Sequence, residues 1–309
     1  MALRPRKQFG QHWLRDSRVL DQILVAADLQ PQDCVLEIGP GKGNLTQRLL
    51  PKVKAVLAIE VDRDLCALLR QTYAQQSNFQ LIEANFLHLD LAAILQPMSP
   101  EAEAQAVSQS VNLSLMNQAE AVNQAANINK VVANIPYNIT GPILERLLGS
   151  IALPPPVSFT DLVLLVQAEV AQRICAAPGS KTFGALSVRM QYLAAVDFIC
   201  PVPARAFLPP PKVESAVIRL RPRPYPQPAH NPCRLEQIVK LGFATRRKML
   251  RNNLRSLLNP TQLLTIFAAI GIRETARAED LSVDQWVELS NQLELGLSSP
   301  LVSEKINPP

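Results

Sequence analysis

The stretch Cys34-Val-Leu-Glu-Ile-Gly-Pro-Gly-Lys-Gly43 decides the fold of this chain. Its first five residues are almost all apolar, which predicts a buried β-strand. Three glycines at alternating positions then predict a tight loop where a ligand can approach the backbone closely. A helical pattern begins at Asn44 and continues to Leu50. The stretch therefore predicts a strand, a ligand-binding loop and a helix in succession.

The same pattern of strands and helices recurs along the first part of the chain. A helix is predicted over 63–74, and further apolar runs predict strands over 55–59, 79–82, 130–134 and 161–166. Strands that are apolar along their whole length are typical of a parallel sheet with helices on both faces. The predicted fold class is therefore α/β, with a doubly wound, mostly parallel sheet. Residues 215–220 alternate in polarity and predict an antiparallel edge strand.

Proline density and periodicity divide the chain into two predicted domains. The first covers residues 1–222, with an N-terminal extension over 1–30. The run Pro222-Arg-Pro-Tyr-Pro-Gln-Pro228 reads as a stiff linker. The second domain, 223–309, is predicted to be small and all-α, with helices over 234–258, 261–270 and 283–295 and an irregular tail after 298. Residues 98–129 are rich in Ala, Asn and Gln and predict a low-complexity surface insertion.

The composition excludes several classes of protein. The chain has 309 residues, of which 48% are hydrophobic and 18% charged, as in globular proteins. Its longest apolar runs fall short of the ~18–20 residues that span a membrane, and no apolar segment follows the basic N-terminus, so a cytosolic protein is expected. Five scattered cysteines and three histidines without metal-ligand spacing favour neither disulfides nor a metal site.

The glycine loop and Glu60 together indicate a nucleoside cofactor. Glu60 ends the second predicted strand, 21 residues after Gly39, where a carboxylate accepts hydrogen bonds from ribose hydroxyls. The spacing Gly-x-Gly-x-Gly, which includes Gly41, differs from the Gly-x-Gly-x-x-Gly of dinucleotide folds. S-adenosylmethionine (SAM) needs no phosphate cradle and suits this spacing. Taken alone, the loop leaves SAM and a nicotinamide cofactor both open.

The segment Asn134-Ile-Pro-Tyr137 decides between the two cofactors. It resembles the Asn/Asp-Pro-Pro-Tyr/Phe motif of methyltransferases that act on exocyclic amines of bases. Such an amine is a poor nucleophile because its lone pair is delocalised into the ring. The Asn134 amide oxygen and the Ile135 carbonyl can each accept one N–H, which turns the lone pair toward the methyl donor. Pro136 fixes that carbonyl, and Tyr137 can stack on the extruded base.

Three more segments extend the resemblance to one family. They are Phe9-Gly-Gln-His-Trp-Leu14, Ala206-Phe-Leu-Pro-Pro-Pro-Lys-Val-Glu-Ser215 and Phe243-Ala-Thr-Arg-Arg-Lys-Met-Leu-Arg-Asn-Asn-Leu254. With the two motifs above, they resemble the rRNA adenine N6,N6-dimethyltransferase family, specifically its bacterial small-subunit (16S) members. The resemblance covers about residues 9–295, interrupted by 98–129. It implies a Rossmann-like class I SAM-dependent methyltransferase domain followed by a small helical RNA-binding domain.

The resemblance also implies roles for individual residues. It places SAM against His12, Leu14, Gly39, Gly41, Glu60, Asn85 and Asn134. It makes Phe207 the second wall of a base sandwich with Tyr137. Where the family usually has Gly-Asp-x-Leu, this sequence has Ala84-Asn-Phe-Leu87. Asn85 would therefore accept the hydrogen bond from the cofactor's adenine amine without a negative charge to strengthen it.

Basic residues in the second domain predict the RNA contact. Between Gln237 and Arg273 there are seven basic residues and no acidic one. The predicted contacts are Arg246, Arg247, Lys248, Arg251 and Arg255. Beside a base-modifying site, such a cluster favours phosphate binding. The implied partner is 16S rRNA of the small subunit or its precursor, bound by a monomer without metal or membrane.

Three alternatives remain at this point. One is a methyltransferase of the antibiotic-resistance type that acts on large-subunit rRNA. Its C-terminal domain lacks the Arg-Arg-Lys-x-Leu-x-Asn-Asn-Leu pattern found here. Another is a non-catalytic ribosome-assembly or transcription factor on the same fold, which the intact Asn134–Tyr137 motif disfavours. The third is a nicotinamide oxidoreductase, which the glycine spacing disfavours.

Overall fold

The computed structural model describes residues 6, 11–95 and 128–298. Its β-strands are β1 Trp13–Leu14, β2 Cys34–Ile38, β3 Ala55–Glu60, β4 Phe79–Glu83, β5 Lys130–Asn134, β6 Asp161–Gln167, β7 Ala194–Val202, β8 Phe207–Leu208 and β9 Ser215–Pro222. Its α-helices are α1 Ser17–Ala27, α2 Thr46–Leu49, α3 Arg63–Thr72, α4 Leu91–Leu95, α5 Thr140–Leu148, α6 Ala168–Ile174, α7 Ala185–Leu193, α8 Pro232–Gly242, α9 Leu250–Asn253, α10 Pro260–Ala269 and α11 Val283–Ser298. Nowhere in the described residues is a helix long and apolar enough to cross a membrane.

Seven strands form one twisted sheet in the order β4-β3-β2-β5-β6-β9-β7. β4, β3, β2, β5 and β6 are parallel, and β9 is antiparallel to β6. The predicted α/β class with a mostly parallel sheet is thus confirmed. The strand order reverses between β2 and β5, which creates the switch point where such sheets bind ligands.

The predicted edge position of β9 is wrong, because β7 forms the edge of the sheet instead. β7 shows no clean alternation of polarity and contains Asp197 and Pro201. A proline and a charge are tolerated on an edge strand, where one row of backbone groups has no ladder partner. Because of these two residues, the polarity pattern of the sequence does not predict a strand here.

The described residues divide into two compact units. The first unit consists of the described residues up to Gly149 together with Pro155–Ala171 and Val196–Pro222. The second unit consists of Ser150–Pro154, Gln172–Ala195 and the described residues from Arg223 onward. The sequence placed all residues up to 222 in one domain, whereas α7 and its flanks belong to the second unit. Phe183, Val188 and Tyr192 are buried in that unit's core with residues of α8 and α11 such as Leu235 and Trp286.

The predicted continuous helix over 234–258 is wrong. α8 ends at Gly242, and turns precede the short α9. Gly242 lies against Trp286, so closely that a Cβ there would stand 2.4 Å from Cη2 of the indole. Asn253 donates from Nδ2 to the carbonyls of Gly242, at 2.6 Å, and Thr245, at 3.1 Å. These contacts satisfy carbonyls at the helix end and close the chain into turns.

The predicted insertion over 98–129 overlaps the described chain only at its last two residues. Ile128 is buried, and the Asn129 side chain accepts from the Cys34 N–H at 2.9 Å and donates to Asp33 at 2.7 Å. These two residues therefore belong to the core beside β2 and not to an insertion. The rest of that segment, and the tail after 298, lie outside the described residues.

Candidate active site

The predicted site motifs of the first unit converge at the carboxyl ends of three strands. β2 leads into the glycine loop, β3 ends at Glu60, and β5 ends at Asn134. A cavity at this edge is lined by residues of all three segments and by the chain around β1. It lies at the switch point between β2 and β5, where ligands bind in open α/β sheets.

The glycine loop presents its backbone to this cavity. The Gly39 N–H donates to the Ile59 carbonyl at 2.9 Å, which ties the loop to β3. Gly41 has φ of 61° and lies against Trp13, where an added Cβ would be 2.8 Å from Cδ1. Lys42 places its ammonium 4.0 Å from the centroid of the same indole. Only glycine fits at position 41 without moving Trp13, a residue that the motif analysis did not single out.

Glu60 is held in one orientation by backbone N–H groups. Its Oε1 accepts from Val61 at 2.9 Å and Asp62 at 3.0 Å, and its Oε2 accepts from Gly41 at 3.2 Å. The side chain is buried, and burial raises its pKa although these hydrogen bonds act to lower it. Each carboxylate oxygen can accept more than one hydrogen bond. Glu60 can therefore take ribose hydroxyls without releasing the loop.

A second acid, Glu37, lies beneath the same loop. It is fully buried, and the Thr46 hydroxyl donates to its Oε2 at 2.6 Å. Burial raises the pKa of Glu37 to about 8, and the nearby Glu60 adds to the effect. The sequence motifs predicted no role for this residue. Its signal was present, since Glu37 is the one charged residue of the apolar strand β2.

Asn134 is oriented by a contact with the N-terminal motif. Its Nδ2 donates to the His12 carbonyl at 3.1 Å. The amide oxygen is the remaining polar atom of the side chain, and the residue lines the cavity with Ile135 and Pro136. A Cβ added to Gly39 would lie 3.9 Å from Cδ of Pro136, so the two motifs are adjacent in the cavity lining. The geometry thus sets a hydrogen-bond acceptor in the same cavity as the glycine loop.

Tyr137 is positioned by its hydroxyl and by His12. The hydroxyl is 2.5 Å from Oγ of Ser215, and burial raises its pKa. The His12 ring is stacked on the Tyr137 ring with centroids 6.0 Å apart and planes 19° apart. His12 Nδ1 also lies 2.8 Å from the Pro209 carbonyl, to which it donates.

Phe207 is buried in the core of the first unit and is not among the residues that line the cavity. It is 3% exposed and packs in that core with Leu14. The ring that faces Tyr137 is that of His12. The predicted role of Phe207 as a wall of the base slot stays a prediction.

The two remaining predicted cofactor contacts also line the cavity. Asn85 is exposed, and its Oδ1 accepts from the Leu87 N–H at 3.0 Å. Leu14 is buried, and its carbonyl accepts from Asn44 Nδ2 at 2.7 Å. The first two residues of the N-terminal motif, Phe9 and Gly10, lie outside the described residues.

The predicted RNA-binding cations belong to the second unit and differ in their surroundings. Arg246 donates from Nη2 to the carbonyls of Lys181, at 2.6 Å, and Phe183, at 3.3 Å. Arg251 is 3.9 Å from Glu274. The other three members, Arg247, Lys248 and Arg255, are exposed. All five lie in or beside turns and the short α9, not along two turns of one helix.

Candidate metal ligands do not cluster in the described part of the chain. No three His, Cys, Asp or Glu side chains come together there in a way that would hold an ion.

Comparison with known proteins identifies relatives over nearly the whole length. Residues 2–295 match the family model described as ribosomal RNA adenine dimethylase. A protein of Trichormus variabilis named ribosomal RNA small subunit methyltransferase A is 53% identical over 291 residues, which cover 94% of this chain and 98% of the relative. A protein of the same name from Acaryochloris marina is 52% identical over 290 residues, covering 94% and 97%.

Solved structures share the fold. A dimethyladenosine transferase from Plasmodium falciparum superposes with a TM-score of 0.66 at 23% identity, covering 90% of this chain and 96% of that one. The 23S rRNA methyltransferase ErmE superposes with a TM-score of 0.65 at 24% identity, covering 91% and 99%. At this level of identity the two structures support the architecture of the chain alone.

Proposed function

This chain belongs to the ribosomal RNA adenine dimethylase family, and we propose that it dimethylates N6 of two adjacent adenines near the 3′ end of 16S rRNA. SAM is the methyl donor. Membership in this family excludes the nicotinamide oxidoreductase alternative. Relatives at 51–53% identity are named as small-subunit methyltransferases, which favours the small-subunit substrate over the large one and a catalyst over a non-catalytic factor.

The observation that carries the proposal is the orientation of Asn134. Its Nδ2 is engaged by the His12 carbonyl, so Oδ1 is the atom left to accept an N–H of the adenine amine. The Ile135 carbonyl would accept the second N–H, and Tyr137 would stack on the flipped base. The chain's own residues thus position the amine and direct its lone pair, without forming a covalent intermediate.

The residues of the cavity fit the proposed cofactor. SAM carries a reactive methyl group on its sulfonium when bound. Glu60 would accept hydrogen bonds from the ribose hydroxyls, and Asn85 would accept a hydrogen bond from the adenine amine of the cofactor. The close approach of Trp13 to Gly41 leaves no room for a side chain at position 41, so the loop lines the pocket with backbone atoms. His12, Leu14 and Gly39 would complete the pocket.

The decisive experiment supplies tritiated SAM and under-methylated small subunits, followed by nucleoside analysis. Wild type should yield two molecules of N6,N6-dimethyladenosine per small subunit. Asn134→Ala should lose turnover by at least 10²-fold, because the amine loses its acceptor, while RNA affinity stays nearly unchanged. Asn78→Ala serves as the control, since Asn78 donates to the Leu50 and Val53 carbonyls away from the cavity. Substantial residual activity in Asn134→Ala would contradict the mechanism.

We also propose that the enzyme acts as a cytosolic monomer. The substrate subunits are assembled in the bacterial cytosol, and the residues that line the cavity all belong to the first unit. Sedimentation equilibrium at micromolar concentration should give the mass of a single 34.0 kDa chain.

A further inference from the structure

The segment around β8, from Arg205 to Val213, exposes an unusual combination of side chains. Leu208 and Val213 are each 45% exposed, which is high for large apolar residues. Two cations of the same segment, Arg205 and Lys212, are also exposed. Arg15, which follows the paired strand β1, is exposed as well. We name these five side chains the rim surface.

Hydrogen bonds connect the rim surface to the candidate active site. β1 pairs with β8 so that Trp13 stands opposite Leu208, and the Arg15 N–H donates to the Ala206 carbonyl at 2.8 Å. The His12 ring bonds to the Pro209 carbonyl, and the His12 backbone accepts from Asn134. The rim surface therefore belongs to the same bonded framework as the residue proposed to receive the target amine.

The three cations of the rim surface are available for an external anion. Among the described residues, none of Arg15, Arg205 and Lys212 forms an ion pair. The two acids beside them are engaged by the backbone. Asp16 accepts from N–H groups at the start of α1, and Glu214 accepts from the Ala204 N–H at 3.1 Å.

The segment that carries most of the rim surface is stiff. Pro209, Pro210 and Pro211 lie between Leu208 and Lys212 and restrict the backbone. The hydrogen bond from the Ala204 N–H to the Glu214 carboxylate joins the two ends of the segment 204–214. A preorganised surface loses little conformational entropy on binding, so its contacts contribute more fully to affinity.

We propose that the rim surface binds the rRNA strand adjacent to the target adenine. Its cations would contact phosphates, and Leu208 and Val213 would lie against a neighbouring unstacked base. This inference rests on the proposed function and deepens it, because it gives the first unit its own RNA contact. The basic cluster of the second unit is then one of two electrostatic contacts.

The test removes two rim charges and compares a matched control. Arg205→Gln with Lys212→Gln neutralises two exposed cations of the rim surface. Lys52→Gln with Lys54→Gln neutralises two exposed cations before β3, at the end of that strand opposite Glu60. Affinity for under-methylated small subunits is measured across a KCl series, with SAM affinity and melting temperature measured in parallel. None of the four side chains is placed in the cofactor or catalytic site.

The rim variant should bind subunits roughly tenfold more weakly at 0.1 M salt than the control. Its slope of log K against log salt should fall by about 1.4, since each single-strand phosphate contact contributes ~0.7. SAM affinity and melting temperature should match wild type. A rim variant that equals the control would overturn the inference. Weaker binding with an unchanged salt slope would also overturn it, since it would point to a ribosomal protein contact. Failure of wild type to methylate subunits would instead refute the proposed function.

Discussion

The carboxyl group of Glu37 is buried beside the Thr46 hydroxyl, and burial raises its pKa to about 8 from an ordinary value of 4.5. Between these two values the folded chain holds a proton that the unfolded chain releases. This group's contribution to the free energy of unfolding is complete below pH 4.5 and is lost as pH rises toward 8. One residue therefore links the stability of the folded chain to pH.

Glu37→Gln should raise the melting temperature at pH 8 relative to wild type. It should also reduce the fall in melting temperature that wild type shows between pH 5 and pH 8. Glutamine keeps an acceptor for Thr46 and has no charge to desolvate. Calorimetry of the cofactor-free protein across this range measures the effect. Glu274→Gln provides the control, because that carboxylate is 70% exposed. Parallel pH curves for Glu37→Gln and wild type would contradict the assignment.

Asn85→Asp should tighten SAM binding severalfold. Aspartate keeps the hydrogen bond from the Leu87 N–H and gives the cofactor's adenine amine a charged acceptor, which bonds more strongly than an amide. Isothermal titration calorimetry measures the change. Asn252→Asp, in the second unit, controls for the added negative charge. Unchanged or weaker binding would mean that Asn85 does not contact the cofactor.

At the scale of elements, the strands of the first unit depend on residues that arrive from distant parts of the sequence. Asn129 bonds through its side chain to Asp33 and Cys34, and its carbonyl accepts from the Thr160 N–H at 2.7 Å. Lys130 bonds to Asp33 at 2.9 Å and to the last carbonyls of α1. Although burial opposes it, these bonds lower the pKa of Asp33. The start of β5 thus ties β2 to α1.

Two deletions distinguish the contribution of Ile128 and Asn129 to stability from that of residues 98–127. Removing 98–127, with Pro97 joined to Ile128 through a short Gly-Ser link, should change the melting temperature by a few degrees at most and retain methyl transfer. The segment has few large apolar residues, and loop length costs little closure free energy. Removing 98–129 should lower the melting temperature by ten degrees or more, because it also takes the buried Ile128 and Asn129. Equal losses in the two variants would show that 98–127 contributes to the core.

At the scale of the whole molecule, the net charge is +5, and the cations of the second unit have different roles. Arg246, Arg247 and Lys248 are all exposed, and Arg246 bonds to two carbonyls of its own unit. We expect Arg247 and Lys248 to contact phosphate and Arg246 to hold the turn that presents them.

Arg247→Glu with Lys248→Glu should weaken subunit binding strongly and flatten its salt dependence, since fewer counterions are released. SAM binding and melting temperature should stay unchanged. Arg246→Ala, by contrast, should lower the melting temperature, because two carbonyls lose their donor. Binding measured across a salt series, together with thermal melting, distinguishes the two roles. An unchanged salt slope in the double variant would mean that this surface does not meet RNA.

Local patterns in the sequence determined most of the first unit. Five apolar runs, the glycine loop and the Asn134–Tyr137 segment predicted a parallel sheet and a site at the carboxyl ends of its strands. Such features depend on neighbouring residues, because strand formation and loop conformation follow from side-chain type over a few positions. The strand bounds agree with these runs to within two residues.

Tertiary contacts decided what local patterns do not encode. The 234–258 helix breaks because Trp286 packs on Gly242, and β7 is recognisable as a strand only beside β9. The His12 ring stacks on Tyr137, and β1 pairs with β8, so residues far apart in the sequence meet beside the site. The pKa of Glu37 is raised because the folded chain buries its carboxyl group. Each outcome depends on residues far apart in sequence, whose desolvation and packing exist only in the folded chain.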